Sequence, residues 1–299
     1  MRRRRFLVLL THGAAACAGG STPELPPAPE PERERAPAPP TDPLEAVAQR
    51  LRAEREQDGF TVVTQPPFVV VGDEAPDVVR RRAASTVGWA TARLKDAYFD
   101  RDPPDPPTVW LFRDDRSYRH WAEVLFGDDP DTPYGYYTAT HNALVMNIST
   151  GGGTLVHELV HPFIDANFPR CPAWFDEGLA SLYEQCGERD GEIVGYENWR
   201  LPGLQAHIEA GTRPTFETLT HTSREAFYAD DTGIHYAQAR YLCFYLQEQG
   251  LLRRYYRGFF EDAEADPTGY ATLHRTLGTA DMRTFERTWD RFVMELRFG

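Results

Sequence analysis

The sequence predicts an α+β fold, with a small mixed β-sheet and helices in its N-terminal part and an all-helical C-terminal half. Two observations support this prediction. Short runs rich in β-branched and aromatic residues, which favour strands, recur between residues 60 and 148. Beyond residue 177 the aromatic and aliphatic residues recur at helical spacing. A helix that carries two histidines, His157 and His161, is expected at the junction of the two parts.

The elements of the N-terminal part follow from local patterns. A helix is expected at residues 43–57, followed by a hairpin with strands at residues 60–64 and 68–71. Residues 76–99 have helical periodicity, and one face of this predicted helix is apolar, with Val79, Ala83, Val87, Ala90 and Leu94. The remaining predictions here are a buried strand at 109–112, a helix at 115–126 and strands at 134–138 and 144–148.

The C-terminal half is predicted from helical periodicity alone. A short helical pattern begins at Trp174, after Cys171 and Pro172. Further helices are expected at residues 201–210, 233–249, 251–261, 268–277 and 282–296. Most of their aromatic and aliphatic residues are expected in the core.

Residues 1–17 have the features of a secretory signal peptide, namely four arginines, an apolar run at residues 6–10 and alanines at residues 14–16. Cys17 follows directly and resembles the cysteine of a bacterial lipobox, so we expect either a lipid anchor on Cys17 or ordinary cleavage and release. Residues 18–43 are rich in proline and are expected to form an extended linker, which leaves residues 44–299 as the folded domain. These features predict export to the bacterial cell envelope.

Composition limits the partners of the chain. Its 299 residues carry a formal charge of −13, which disfavours a nucleic-acid ligand. Membrane contact is expected only through a lipid on Cys17, because no segment has the roughly 20 apolar residues of a spanning helix. The three later cysteines, Cys171, Cys186 and Cys243, are an odd number, so one pair could form a disulfide, and they lack the C-x-x-C spacing of a zinc site.

His157, Glu158 and His161 form the pattern H-E-x-x-H. On a helix of about 3.6 residues per turn, residues four apart share a face, so both imidazoles can reach one metal ion. Glu158 would then stand beside the metal, where its carboxylate can take a proton from a metal-bound water. Pro162 follows inside the same helix and is expected to kink it at His161.

Catalytic zinc usually has a third protein ligand, and the best candidate is Glu177. Residues 162–176 are long enough to finish the first helix, turn, and send a second helix back across the metal. Asp176 and Glu184 are alternative third ligands. Asp165 and Ser181, each one helical turn beyond an expected ligand, are candidates to orient the ligands by hydrogen bonding.

H-E-x-x-H followed at this distance by W-x-x-E-G-x-A, at Trp174–Ala180, resembles the gluzincin zinc metallopeptidases, and in particular the peptidase-MA-like domains of bacterial secreted proteins and lipoproteins. The resemblance covers the chain from about residue 60 onward. It implies a thermolysin-like catalytic domain, a Zn²⁺ cofactor and a peptide or protein substrate.

The resemblance also implies further roles. A tyrosine about sixty residues beyond the glutamate ligand donates to the tetrahedral intermediate in related enzymes, and Tyr236 stands at that distance, with His235 as its neighbour. The strand pair at residues 134–148 would lie along the substrate cleft. The chain lacks the acidic motif that grips a free amine in the aminopeptidase N group, which argues against cleavage from the amino terminus.

The sequence thus predicts an exported zinc-dependent peptidase with Glu158 as general base. The alternatives are a zinc- or peptide-binding envelope scaffold of the same fold without turnover, and a metal-free structural domain.

Overall fold

The computed structural model describes residues 42–230, 232–279 and 281–299. The predicted signal peptide, Cys17 and the linker up to residue 41 lie outside the described residues. Within the described part, no helix combines the length and the apolar character needed to cross a membrane.

The N-terminal part contains a five-stranded mixed sheet, as the sequence predicted. Its strands are β1 (Thr61–Gln65), β2 (Phe68–Gly72), β3 (Thr108–Phe112), β4 (Gly135–Thr138) and β5 (Ala143–Asn147). Their order across the sheet is β1-β2-β3-β5-β4. The pairs β1–β2 and β4–β5 are antiparallel, whereas β2, β3 and β5 are mutually parallel. This order leaves β4 at one edge of the sheet.

Helices cover both faces of this sheet. Side chains alternate along a strand, so Phe68 and Val70 join one core while Val69 and Val71 join the other. The second core is closed by α1 (Pro43–Arg55) and α4 (Asp115–Phe126), and the first by helices that include α2 (Pro76–Arg82), α3 (Trp89–Ala97) and α5 (Gly152–Asn167). Because both faces are buried, the central strands are apolar except for Thr108 at the start of β3 and Asn147 at the end of β5.

The predicted helix at residues 76–99 is helical along nearly its whole length. The structure divides it into α2, a π-helical stretch at Ala83–Gly88, and α3. All five residues of the predicted apolar face are buried, which confirms that face. The π-helical stretch was not predicted.

The C-terminal half is not all-helical, and this part of the fold prediction was wrong. After α6 (Ala173–Leu182) the chain forms a hairpin of β6 (Cys186–Arg189) and β7 (Glu192–Gly195). Asp190 and Gly191 make its turn with φ of 55° and 82°. Asp-Gly is a favoured pair for a two-residue turn in which both residues have positive φ, so the signal was present in the sequence.

The rest of this half is helical. Its helices are α7 (Leu201–Glu209), α8 (Phe216–Thr220), α9 (Arg224–Tyr228), α10 (Ile234–Glu248), α11 (Leu252–Asp262), α12 (Tyr270–Leu277) and α13 (Met282–Glu295). The short helices α8 and α9 were not predicted. Cys171, Cys186 and Cys243 are all free, so the structure contains none of the disulfides that the sequence left open.

Two contacts fix α6 within this half. At Gly178 a side-chain β-carbon would lie 3.1 Å from the backbone of Ala239, so the absence of a side chain lets α6 and α10 pack closely. The fully buried Arg240 of α10 donates from Nε to the carbonyl oxygen of Ser181, 3.0 Å away, near the C-terminal end of α6. A cation at this end of a helix satisfies free carbonyl groups and complements the helix dipole.

Candidate metal centre

Helix α5 presents His157 and His161 on one face. The two ring centroids lie 5.1 Å apart, and both side chains line the same cleft. The helix continues through Pro162 to Asn167, so this proline does not end it. The four-residue spacing of His157 and His161 therefore brings the two imidazoles together, as the sequence predicted.

Glu177 reaches this pair from α6. Its Oε2 atom lies 3.3 Å from Nε2 of His157, yet this buried oxygen has no hydrogen-bond partner among the described residues. Ligands at zinc–ligand distances of about 2.1 Å in a tetrahedral arrangement are separated by about 3.4 Å. The separation of these two atoms therefore suits two ligands of one zinc ion.

Glu158 lies close to the second histidine. Its Oε2 atom is 3.9 Å from Nε2 of His161, and one ligand atom from each of His157, Glu158 and His161 falls within 4.8 Å of the others. The histidines thus face two carboxylates, Glu158 from their own helix and Glu177 from the next. Among the described residues, the ligand atoms that all lie this close together are those of His157, Glu158 and His161, whereas the ion-pair contact of Glu177 is with His157 alone.

The two alternative third ligands occupy different positions. Oδ1 of Asp176 lies 2.8 Å from Nδ1 of His161, at hydrogen-bonding distance. Oε1 of Glu184 lies 3.6 Å from Nδ1 of His157. Asp176 is therefore placed as a residue that orients a metal-binding histidine by hydrogen bonding. Glu184 lies beyond hydrogen-bonding distance, and Nδ1 of His157 is buried without a hydrogen-bond partner among the described residues.

The sequence predicted Asp165 and Ser181 for the orienting role, but the carboxylates that face the Nδ1 atoms of the two histidines are those of Asp176 and Glu184. Oγ of Ser181 is buried and has no hydrogen-bond partner in the described part of the chain. Asp165 lines the cleft, but the carboxylate hydrogen-bonded to His161 is that of Asp176. A separation of one helical turn along α5 did not identify the hydrogen-bond partner of His161, because that partner, Asp176, comes from the neighbouring helix α6.

Tyr228 was not predicted. Its hydroxyl, at the end of α9, donates to Oε1 of Glu177 over 2.8 Å and leaves Oε2 free toward His157. Neither α9 nor a role for this tyrosine could be read from periodicity, since α9 is only five residues long.

Tyr236, the predicted hydrogen-bond donor, lies in the first turn of α10 and lines the same cleft. Burial is the main cause that raises the pKa of its hydroxyl, and the charge of Glu177 adds to it. Its phenol therefore stays protonated and can donate a hydrogen bond. The neighbouring His235 stacks on Phe227, with the ring centroids 5.6 Å apart, and does not line this cleft.

The cleft has a volume of about 480 Å³ and is bounded on one side by the edge strand β4. Tyr137 of this strand stacks over His161, with the ring centroids 6.3 Å apart. A second cavity of about 530 Å³ shares Tyr137, Ala139 and Asp165 with the cleft. The cleft and the second cavity therefore adjoin each other at these three residues.

In the metal-free protein, the pKa values of the two cleft carboxylates Glu177 and Glu158 are shifted in opposite directions. Burial alone would raise the pKa of Glu177, but the nearby His161 and His157 outweigh it and lower that pKa to about 2. Burial would also lower the pKa of His161, but Asp176, Glu177 and Glu158 raise it to about 10. Burial raises the pKa of Glu158. One carboxylate is thus held ionised while the other is shifted toward its protonated form.

No protein-family model matches this chain, and no curated protein matches it in sequence.

Proposed function

We propose that this protein is a zinc-dependent peptidase that hydrolyses peptide bonds with a metal-activated water and Glu158 as general base. The observation that carries the proposal is the convergence of His157, His161 and Glu177 on one cleft, with a second carboxylate beside them. Two imidazoles, one carboxylate and an open position form a familiar ligand set of catalytic zinc.

His157, His161 and Glu177 would hold the metal. The fit is supported by the buried Oε2 of Glu177, which has no hydrogen-bond partner within the described residues and faces Nε2 of His157. A bound Zn²⁺ would lower the pKa of its water toward neutrality and polarise the substrate carbonyl. Glu177 rather than Glu158 is assigned as the ligand because Tyr228 already orients its carboxylate.

Glu158 would accept the proton of the attacking water and deliver it to the departing nitrogen. A general base works best when its pKa lies near the working pH, and burial raises the pKa of Glu158 in that direction. Tyr236 would donate from its protonated hydroxyl to the oxygen of the tetrahedral intermediate.

A peptide substrate is supported by the edge strand. β4 pairs with β5 on one side, and its Gly135, Tyr136 and Tyr137 line the cleft. An extended peptide could add to such an edge through backbone hydrogen bonds. Export to the cell envelope is proposed from the sequence of residues 1–17 alone.

The test combines elemental analysis with a casein and peptide-library assay. We expect one zinc per chain and hydrolysis by the wild type, with zinc retained but hydrolysis lost in Glu158→Gln. A wild-type protein without bound metal would refute the proposal. Zinc binding with equal inertness of wild type and variant over broad substrates would leave a zinc-binding scaffold as the better description.

A further inference from the structure

Arg200 lies directly before α7 and forms a two-pronged ion pair. Its Nε atom is 2.9 Å from Oε2 of Glu184, and its Nη2 atom is 2.6 Å from Oε1. Asn198 adds a hydrogen bond from Nδ2 to Oε2 of the same carboxylate over 2.9 Å. Parallel N–H···O bonds of this kind fix the plane of the carboxylate as well as its position.

The carboxylate held in this way is the one that faces His157. Oε1 of Glu184 is 3.6 Å from Nδ1 of that histidine, and the Glu184 side chain is buried. A buried carboxylate that loses its cation is strongly disfavoured and must move, take up water or gain a proton. Without Arg200, the carboxylate of Glu184, which faces Nδ1 of His157, would therefore lose its defined position.

The same guanidinium also contacts Tyr236. Its central carbon lies 5.2 Å from the centroid of the Tyr236 ring. A guanidinium at this distance from an aromatic ring attracts it and restricts its rotation. One side chain therefore contacts both the carboxylate that faces Nδ1 of His157 and the candidate hydrogen-bond donor.

We infer that Arg200 is a positioning residue, which holds Glu184 against His157 and the ring of Tyr236 over the cleft. This inference rests on the proposed function. It predicts that metal affinity and turnover both depend on a side chain that binds neither metal nor substrate.

The chain contains a matched control. Arg213 forms an equivalent two-pronged pair with Asp290, at 2.8 and 3.2 Å, and its guanidinium carbon lies 5.5 Å from the ring centroids of Phe216 and Trp289. None of these four residues lines the cleft. Replacing Arg213 removes the same kinds of contact without touching the candidate metal centre.

The experiment compares Arg200→Gln, Arg200→Lys and Arg213→Gln with the wild type. For each protein, circular dichroism checks folding, a chelator competition gives the zinc affinity, the visible spectrum of the Co²⁺-substituted form reports ligand geometry, and peptide hydrolysis gives kcat and KM. We expect Arg200→Gln to weaken zinc binding by about 10- to 100-fold, as for other residues that orient metal ligands. It should also alter the Co²⁺ spectrum and lower kcat more than it raises KM.

Arg200→Lys should recover part of the zinc affinity, since an ammonium group can pair with Glu184, but less of kcat, since it cannot lie flat on Tyr236 in the same way. Arg213→Gln should lower thermal stability and leave zinc affinity and the spectrum as in the wild type. If Arg200→Gln does not fold, Arg200→Lys decides the matter by the same readouts.

The inference is wrong if a folded Arg200 variant keeps wild-type zinc affinity, spectrum and kcat, or if Arg213→Gln weakens zinc binding as much as Arg200→Gln. Absence of metal binding by the wild type is a different result, because it refutes the proposed function itself.

Discussion

Nδ1 of His161 lies 2.8 Å from Oδ1 of Asp176, the residue directly before Glu177. Two adjacent residues of α6 therefore serve the two histidines of α5 in different ways. Asp176 contacts the Nδ1 side of one imidazole, and Glu177 faces Nε2 of the other. Because neighbours on a helix point about 100° apart, they can reach two rings on the facing helix.

We expect Asp176→Ala to weaken zinc binding by about 10- to 100-fold, because His161 loses the partner that fixes its tautomer and ring orientation. Asp176→Asn should lose less, since its amide oxygen can still accept from Nδ1–H. Chelator competition measures both. Asp165→Asn is the control, with an affinity within about twofold of wild type, and a larger loss there would favour the orienting residue that the sequence suggested.

The two cleft tyrosines should separate metal binding from turnover. Tyr228→Phe removes the donor to Oε1 of Glu177, so we expect weaker zinc binding by about tenfold. Tyr236→Phe should keep zinc affinity and lower kcat by about 100-fold, the scale of losing one donor to a developing oxyanion. Zinc competition and steady-state kinetics on both variants test this. A wild-type kcat for Tyr236→Phe would remove that residue from the proposed chemistry.

Much of the fold could be read from the sequence because its signals are local. The strands of the sheet and the α1 and α4 helices were predicted within a few residues, since alternation and helical periodicity depend only on neighbouring residues. The hairpin β6–β7 was missed although Asp190-Gly191 marks its turn. Helices α8 and α9 have five residues each and show no full period of apolar residues.

The candidate site likewise has a part that could be predicted from the sequence and a part that could not. His157, Glu158 and His161 belong to one helix, so their spacing was enough to bring them together. The contacts of Asp176, Glu184 and Tyr228 depend on how separate helices pack. Such contacts have no signature in spacing along the chain, which is why the sequence assigned the orienting role to residues one turn away.

The choice between the two carboxylates as metal ligand can be tested with variants of equal size. We expect Glu177→Gln to lose zinc at micromolar protein concentration, because a neutral amide is a poorer ligand than the carboxylate. Glu158→Gln should retain one zinc per chain. Elemental analysis after gel filtration measures both. The opposite pattern would make Glu158 the ligand, in accordance with the compact group that it forms with the two histidines.

The stability of the metal-free protein should fall as the pH rises above neutrality. The pKa of His161 is about 10 in the folded protein, against 6.5 as its ordinary value, so the folded state holds a proton that the unfolded state releases. This contribution is fully present below pH 6.5 and is lost as the pH rises through 10. Thermal melts in chelator between these pH values test it. Asp176→Ala, which lowers the pKa of His161, should flatten the decline, and an equal slope in both proteins would contradict the assignment.

Two adjacent glycines at the start of α5 should respond differently to alanine. A β-carbon at Gly153 would lie 1.9 Å from the carbonyl oxygen of Glu184, whereas at Gly152 the nearest atom is Cγ2 of Thr86 at 3.7 Å. Backbone atoms cannot move aside as a flexible side chain can, so Gly153→Ala should destabilise the protein by about 2 kcal/mol or more. Gly152→Ala should be neutral or slightly stabilising, because alanine favours a helix.

The Gly153→Ala substitution should also weaken the candidate metal centre, because displacing the backbone of Glu184 moves its carboxylate away from His157. We therefore expect Gly153→Ala to lower zinc affinity as well as the melting temperature, and Gly152→Ala to change neither by much. Thermal melts and chelator competition on both variants give the two quantities. Equal behaviour of the two variants would show that α5 and the end of α6 are not packed as closely as the structure has them.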